Sequence, residues 1–300
     1  MRRIHVSLAS LAAIILGIAL TGGMATTASA KQLKKAPKIT SKAPFTARGS
    51  VGDAYVKDAK AGQRLLLVNA KNRIVRSGKA DRFGSKVFYD VKPGATFTVR
   101  TPTAKGSRGT KKFKVLKPGV NPGQSWYDEK PDLKAGLNYV TMRDGTELAV
   151  TVRLPYGRTS LSQGPFPTYI EYSGYQTAAP HDALLGLVAG LPDSSLPEPL
   201  GDLLDTITGS LPGSPVPDPD LTPASSTAVG SLIGPLLDFA TVSVQMRGSG
   251  CSGGAFDLFG WPTTYDGYDI IETVATQDWV QGGKVSMGGI SFSGITQLFT

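Results

Sequence analysis

The stretch GGISFSGIT, residues 288 to 296, holds residue types at a spacing that suits acyl transfer. A serine hydroxyl is a weak nucleophile, so hydrolases mount it on a sharp strand-to-helix turn. Small neighbours there let the oxygen project, and the next backbone N–H faces the developing oxyanion. Ser291 occupies that position: Lys284 to Met287 can supply the strand, Gly288 and Gly289 the close approach, and Ile295 to Phe299 the start of a helix. The strict G-x-S-x-G pattern is not met, because Ser293 stands where the second glycine would be and Gly294 comes one place later. Other reactive types are scarce. Cys251, the only cysteine, lies in the loop RGSGCSGG with no histidine nearby, which reads as an inert or packing thiol. A single cysteine also excludes a disulfide framework and a cysteine-cluster metal site. The histidines are His5 and His181.

Alternating strands and helices must position such a serine. LNYVTMRDGTELAVTVRLP reads as a hairpin that turns at Asp144-Gly145. FPTYIEYSGY and FATVSVQMRGSG are short apolar runs ending in glycine-containing loops, as buried strands of a parallel sheet do. YDGYDIIETVATQDWV has helical spacing, with Ile270, Ile271, Val274 and Ala275 on one side, and KVSMGGISFSGITQLF follows as strand, turn and helix. This alternation predicts an α/β sheet over residues 137–300. Residues 177–238, rich in Leu, Pro, Gly and Ser, interrupt it as an insertion in which Leu184 to Val188 and Leu203 to Ile207 can form short helices. So long a loop reads either as an apolar cover over a pocket or as ordinary surface packing.

The succession YIEYSGY, VSVQMRGSGCSGGAF and YDGYDIIETVATQDWVQGGKVSMGGISFSG resembles the cocaine-esterase and X-Pro dipeptidyl-peptidase family of serine hydrolases. That family has a G-x-S-Y-x-G nucleophile turn, preceded by a strand ending in an R-G loop and by a helix ending in Trp. The resemblance covers about residues 137 to 300 and implies an α/β-hydrolase fold. It implies Ser291 as the nucleophile, the backbone N–H of Phe292 as one oxyanion donor and the hydroxyl of Tyr175 as the other. Read without the resemblance, Tyr175 is a strand-end packing residue. Phe292 stands where the family has Tyr, so a hydroxyl is lost while the backbone N–H is kept. In the α/β-hydrolase order the acid and base follow the serine. Only Phe292 to Thr300 follow here, and His181, next to Pro180 and ahead of the serine, reads as a solvent-exposed loop histidine. The chain is therefore expected to be the N-terminal portion of a longer hydrolase, lacking the triad Asp and His and inactive alone.

The N-terminus reads as an export signal over residues 1–30: Arg2 and Arg3, an apolar stretch to Leu20, and the small-residue site Ala28-Ser29-Ala30. The apolar core from Val6 falls short of the ~20 residues that a membrane span needs. Residues 31–118 read as a small all-β, antiparallel sandwich of immunoglobulin-like type, with short runs in RLLLVNAKNRIVRSG, KVFYDVKPGATFTVRT and KKFKVL. Pro/Gly-rich residues 119–136 read as a linker. Residues 31–120 carry 23 Lys/Arg against 4 Asp/Glu, a net of +19, while residues 121–300 carry 7 against 19, a net of −12. The basic domain could hold an exported protein at anionic cell-envelope polymer, face its acidic neighbour, or simply be solvated. The absence of an aromatic-interleaved basic motif argues against nucleic acid. The residues imply no metal or organic cofactor. The expected function is secreted serine hydrolysis of ester or amide bonds, X-Pro peptide bonds included. The alternative is a non-catalytic cell-envelope-binding protein with a vestigial hydrolase domain.

Overall fold

Short runs rich in Val, Leu, Phe and Thr, separated by Asn, Gly and Pro turns, build the first half of the chain in strands. The computed structural model describes residues 33–175 and 229–300. Its first nine strands are β1 (Ile39–Lys42), β2 (Thr46–Gly49), β3 (Ala54–Lys57), β4 (Arg64–Asn69), β5 (Ile74–Lys79), β6 (Lys86–Phe88), β7 (Thr96–Thr103), β8 (Gly106–Gly109) and β9 (Phe113–Lys114). One sheet runs β1-β8-β7-β4-β5 with β9 beside β7, and a second runs β2-β3-β6. Leu65, Leu67, Phe97 and Val99 of the first sheet share a core with Ala54, Val56 and Phe88 of the second. Each fully buried Leu, Val or Phe contributes roughly 1.5–3 kcal/mol, so this shared layer is what holds the two sheets together.

Two features differ from the sequence reading. The β1–β8 pair is parallel, where antiparallel pairing was expected throughout. Strands β1 to β3 went unread: each is only four residues long, and all four residues of β1 are exposed.

The second half contains α1 (Gln124–Asp128), β10 (Gly136–Thr141), β11 (Glu147–Arg153), β12 (Phe166–Ser173), α2 (Val229–Ile233), β13 (Ala240–Gln245), α3 (Trp261–Ala275), β14 (Val280–Met287) and α4 (Phe292–Thr296). Its sheet has the order β10-β11-β13-β12-β14. The β10–β11 and β11–β13 pairs are antiparallel, and β12 pairs in parallel with β13 and β14. The β10–β11 hairpin turns through Asp144-Gly145 as its sequence dictates, with the N–H groups of Gly145 and Met142 bonded to Met142 O and Thr146 O at 2.8 and 2.7 Å.

Strands β12 and β13 pair in parallel and are largely buried on both faces, as expected from their sequences, but β11, β12 and β13 are apolar on one face only. One face carries Val150, Val152, Ile170, Tyr172, Val242 and Val244, which form a core with Ile270 and Val274 of α3. The other carries Thr151, Arg153, Glu171, Ser173, Thr241, Ser243 and Gln245, all buried as well. The stretch read as a linker also makes defined contacts: the Tyr127 hydroxyl donates to Asp269 at 3.0 Å, and Leu133 joins the second core. The expected export signal, His181, and the two helices expected at Leu184 to Val188 and Leu203 to Ile207 lie outside the described residues. No helix among the described residues is long and apolar enough to cross a membrane.

Candidate active site

Ser291 sits between β14 and α4 with φ 58° and ψ −119°. An L-residue adopts such a backbone only where its surroundings enforce it. Sterics of the turn supply that enforcement. A Cβ on Gly289 would come within 2.3 Å of Ser293 Cβ, and one on Gly294 within 2.8 Å of Gly289 O. The two glycines thus let the turn fold back on itself. The missing second glycine of the strict motif is explained by the same geometry: Ser293 fits because its small side chain lies against the bare Cα of Gly289.

The two neighbouring serines have opposite surroundings. Ser293 is fully buried and donates to Ser173 Oγ at 2.9 Å. Ser291 is exposed. Thr296 Oγ1 lies 2.9 Å from Tyr172 O and 2.8 Å from Ser293 O, which ties α4 to the end of β12. Tyr175 follows that end, and its N–H donates to Ser173 Oγ at 3.0 Å. Its hydroxyl stands 3.5 Å from Ser291 Oγ. The structure therefore brings together the three residues singled out in the sequence: Ser291, Tyr175 and Phe292. Phe292 opens α4, so its N–H has no preceding turn to bond within the helix. Its ring meets Tyr175 edge-on at 5.7 Å and Phe259 at 5.3 Å, and Phe259 stacks on Phe299 at 4.6 Å. Where the resembling family has a hydroxyl, this chain has a purely aromatic contact.

The loops around this turn are held by buried charges that the sequence reading missed. Arg247 donates to both oxygens of Asp266 at 2.6 and 2.5 Å and to Asp144 at 3.0 Å. Asp144 also accepts from the Ser50 hydroxyl and from Thr146 N–H. Burial alone would raise the Asp144 carboxyl, but Arg247 and these two donors hold it below its ordinary value. Beside this group, Arg143 clasps Asp269, the closest contact being 2.6 Å. Asp266 and Asp269 lie on the same helical stripe as Ile270, Thr273 and Val274, all of them buried. An acid at a core-facing helical position, matched by the arginines of TMRDG and VQMRGS, is the signal that could have revealed them.

Beneath the turn, Glu171 accepts from the Ser231 hydroxyl at 2.8 Å, and that oxygen lies 2.7 Å from Ser243 Oγ. Burial pushes the Glu171 carboxyl up and the Arg153 guanidinium down, and the attraction between the two opposes both shifts. Cys251 is exposed on its loop.

A family model described as X-Pro dipeptidyl-peptidase (S15 family) matches residues 144–300, more than half of the 300-residue chain. The chain belongs to the S15 family. This bears out the resemblance carried by the motifs around Ser291, and the mixed sheet with its few helices is a hydrolase-like fold. Two solved structures of a CocE/NonD family hydrolase from Staphylococcus aureus are similar to the S15 chain. One shows 22% identity and a TM-score of 0.35, covering 70% of this chain and 28% of its own. The other shows 23% identity and a TM-score of 0.34, covering 61% of this chain and 30% of its own. The S15 chain thus spans less than a third of the length of either hydrolase. No curated protein sequence matches it.

Proposed function

We propose that this chain carries the nucleophile and oxyanion side of a secreted serine hydrolase acting on ester or amide bonds, X-Pro peptide bonds among them. One observation carries the reading: the exposed Ser291 sits at φ 58° on a strand-to-helix turn with the Tyr175 hydroxyl 3.5 Å away. In this mechanism Ser291 Oγ attacks the carbonyl carbon and its proton passes to a base. The carbonyl oxygen becomes an oxyanion that accepts from Phe292 N–H and the Tyr175 hydroxyl. Collapse expels the alcohol or amine, which takes the proton, and water then releases the acyl group by the same steps in reverse order of groups. The order serine, acid, base of α/β-hydrolases puts the acid and base of this mechanism after Ser291 in the chain. The same proposal takes the β-domain as immunoglobulin-like.

In the full-length parent protein, a fluorophosphonate probe is expected to label Ser291, and Ser291→Ala to abolish labelling, since only an activated hydroxyl reacts rapidly. Labelling at Ser293 would overturn the assignment. Residues 1–300 alone are expected to give no turnover of p-nitrophenyl acetate above background.

Export and retention at anionic cell-envelope polymer belong to the same proposal, on the sequence of residues 1–30 and the +19 net charge of residues 31–120. Retention on cell-wall material should then fall steeply with added salt, since charges are screened beyond ~8 Å at physiological ionic strength. Salt-independent retention would remove the electrostatic account.

A further inference from the structure

A cavity of about 430 Å³ lies where the β-domain meets the β10–β11 hairpin and the loop after β13, and neither Ser291 nor Tyr175 lines it. Asp53 and Tyr89 enter it from the β-domain, Tyr139 and Asp257 from the hydrolase half, and Lys57 and Lys86 complete the lining used here. Its volume falls within the ~300–1,000 Å³ of small-molecule sites.

Three carboxylates line this cavity, Asp53, Glu147 and Asp257, and its cations Arg247, Lys57 and Lys86 are not directly paired with Asp53 or Asp257. Asp53 is only 8% exposed, and its Oδ1 accepts from Asp90 N–H at 2.9 Å. Among the described residues neither Asp53 nor Asp257 forms an ion pair. Arg247, which also reaches the wall, is committed to Asp144 and Asp266. Lys86 Nζ lies over the Phe88 ring, 5.9 Å from its centroid, and Lys57 is exposed. Burial pushes the Asp53 carboxyl up to about 6; the Asp90 N–H and the nearby Arg247 charge draw it down, while the charges of Asp257 and Asp90 push it further up. A buried carboxylate with no directly paired cation is unfavourable when ionised and gains when a cation docks against it. Tyr89 and Tyr139 are 46% and 52% exposed, and open aromatic faces attract cations.

We propose that this seam cavity binds a small organic cation, a guanidinium or primary ammonium on a short apolar stem. The charge sits between Asp53 and Asp257, and the stem lies against Tyr89 and Tyr139. A planar guanidinium offers paired donors to a carboxylate and stacks on tyrosine, so it is the better fit. Asp257 is flanked by Phe256 and Phe259, whose rings pack on Phe292 beside Ser291. An occupant of the seam therefore touches the loop that supports the nucleophile turn.

Titration calorimetry on the 300-residue chain carrying Ser291→Ala tests the site without reference to turnover, so its outcome is separate from that of the hydrolase reading. The probes are agmatine, a free guanidinium, and Nα-acetylarginine methylamide, a guanidinium borne by a peptide, with neutral pentylurea as control. One-to-one saturable binding of at least one cation is expected, weakened about ten-fold or more by Asp257→Asn and by Asp53→Asn. Preference for agmatine assigns the site to free cations, and preference for the capped residue to an arginine side chain. Asp257→Asn changes a partly exposed loop residue, so it keeps the test decisive if Asp53→Asn fails to fold. Lack of saturable binding at millimolar concentration, equal affinity in Asp257→Asn, or equal affinity for pentylurea would overturn the proposal.

Discussion

The β-domain and the hydrolase half bury polar groups in different ways. The β-domain packs Leu65, Leu67, Phe97 and Val99 into an apolar interior, and among its described charged residues only Asp53 and Arg100 are buried. The hydrolase half buries Asp144, Arg153, Glu171, Arg247, Asp266 and Asp269. Arg143–Asp269, Arg247–Asp144 and Arg247–Asp266 form tight ion pairs there, with every side chain no more than 6% exposed. Apolar burial is non-directional and is sufficient to close two sheets. The proposed nucleophile turn needs loops fixed in one arrangement, and directional, charge-assisted bonds provide that. The difference separates a half built mainly to be stable from a half built to hold groups in place.

The sharpest way to break this comparison is Asp266→Ala. It leaves Arg247 with only Asp144 and opens a polar hole against α3, and breaking such a pair costs ~3–5 kcal/mol. The control Lys112→Ala, on the exposed face of the β-domain, should stay within ~0.5 kcal/mol. Urea denaturation of both variants decides it. A cost for Asp266→Ala below ~1 kcal/mol would mean that the ion pairs do not organise this half.

Next in size is Tyr175→Phe in a form of the protein that shows turnover. Removing one donor aimed at an oxyanion should lower kcat roughly a hundredfold or more, equivalent to about 2.7 kcal/mol, with KM much less affected. The ring contact with Phe292 remains in this variant, so stability should be unchanged. A fall in stability with intact kcat would make Tyr175 a packing residue, which is its reading when the family resemblance is set aside.

The same comparison explains what could be read before the structure. The β10–β11 hairpin, α3 and the turn at Ser291 were legible because each rests on local rules: Asp-Gly at a turn, apolar spacing on a helix, glycines around a serine. The polar layer of Thr151, Arg153, Glu171, Ser173 and Ser243 was not, because alternation in TYIEYS and TVSVQ marks a face as polar without saying whether it is covered. Arg247, Asp144 and Asp266 were equally hidden, since pairing between positions 144, 247 and 266 is a matter of topology and not of neighbourhood. Tyr175 was assigned through family resemblance alone. No local rule would have placed its hydroxyl 3.5 Å from Ser291 Oγ.

The smallest expected effect concerns the one buried carboxylate of the β-domain. Burial raises the Asp53 pKa from its ordinary value of 3.8 to about 6. The folded state therefore holds this proton more tightly than the unfolded chain does. Below about pH 4 both states are protonated and Asp53 costs nothing; between about pH 4 and 6 the unfolded chain ionises first, and folding loses stability as pH rises. Above about pH 6 the loss is complete. Asp53→Asn keeps an acceptor for Asp90 N–H and removes the charge. It should raise Tm at pH 7 and leave it unchanged at pH 3.5, with the gain appearing between these values. A variant less stable than the parent at pH 7 would show that the ionised carboxylate already has a stabilising partner. The β-domain would then also use charge to fix its loops, and the contrast with the hydrolase half would narrow.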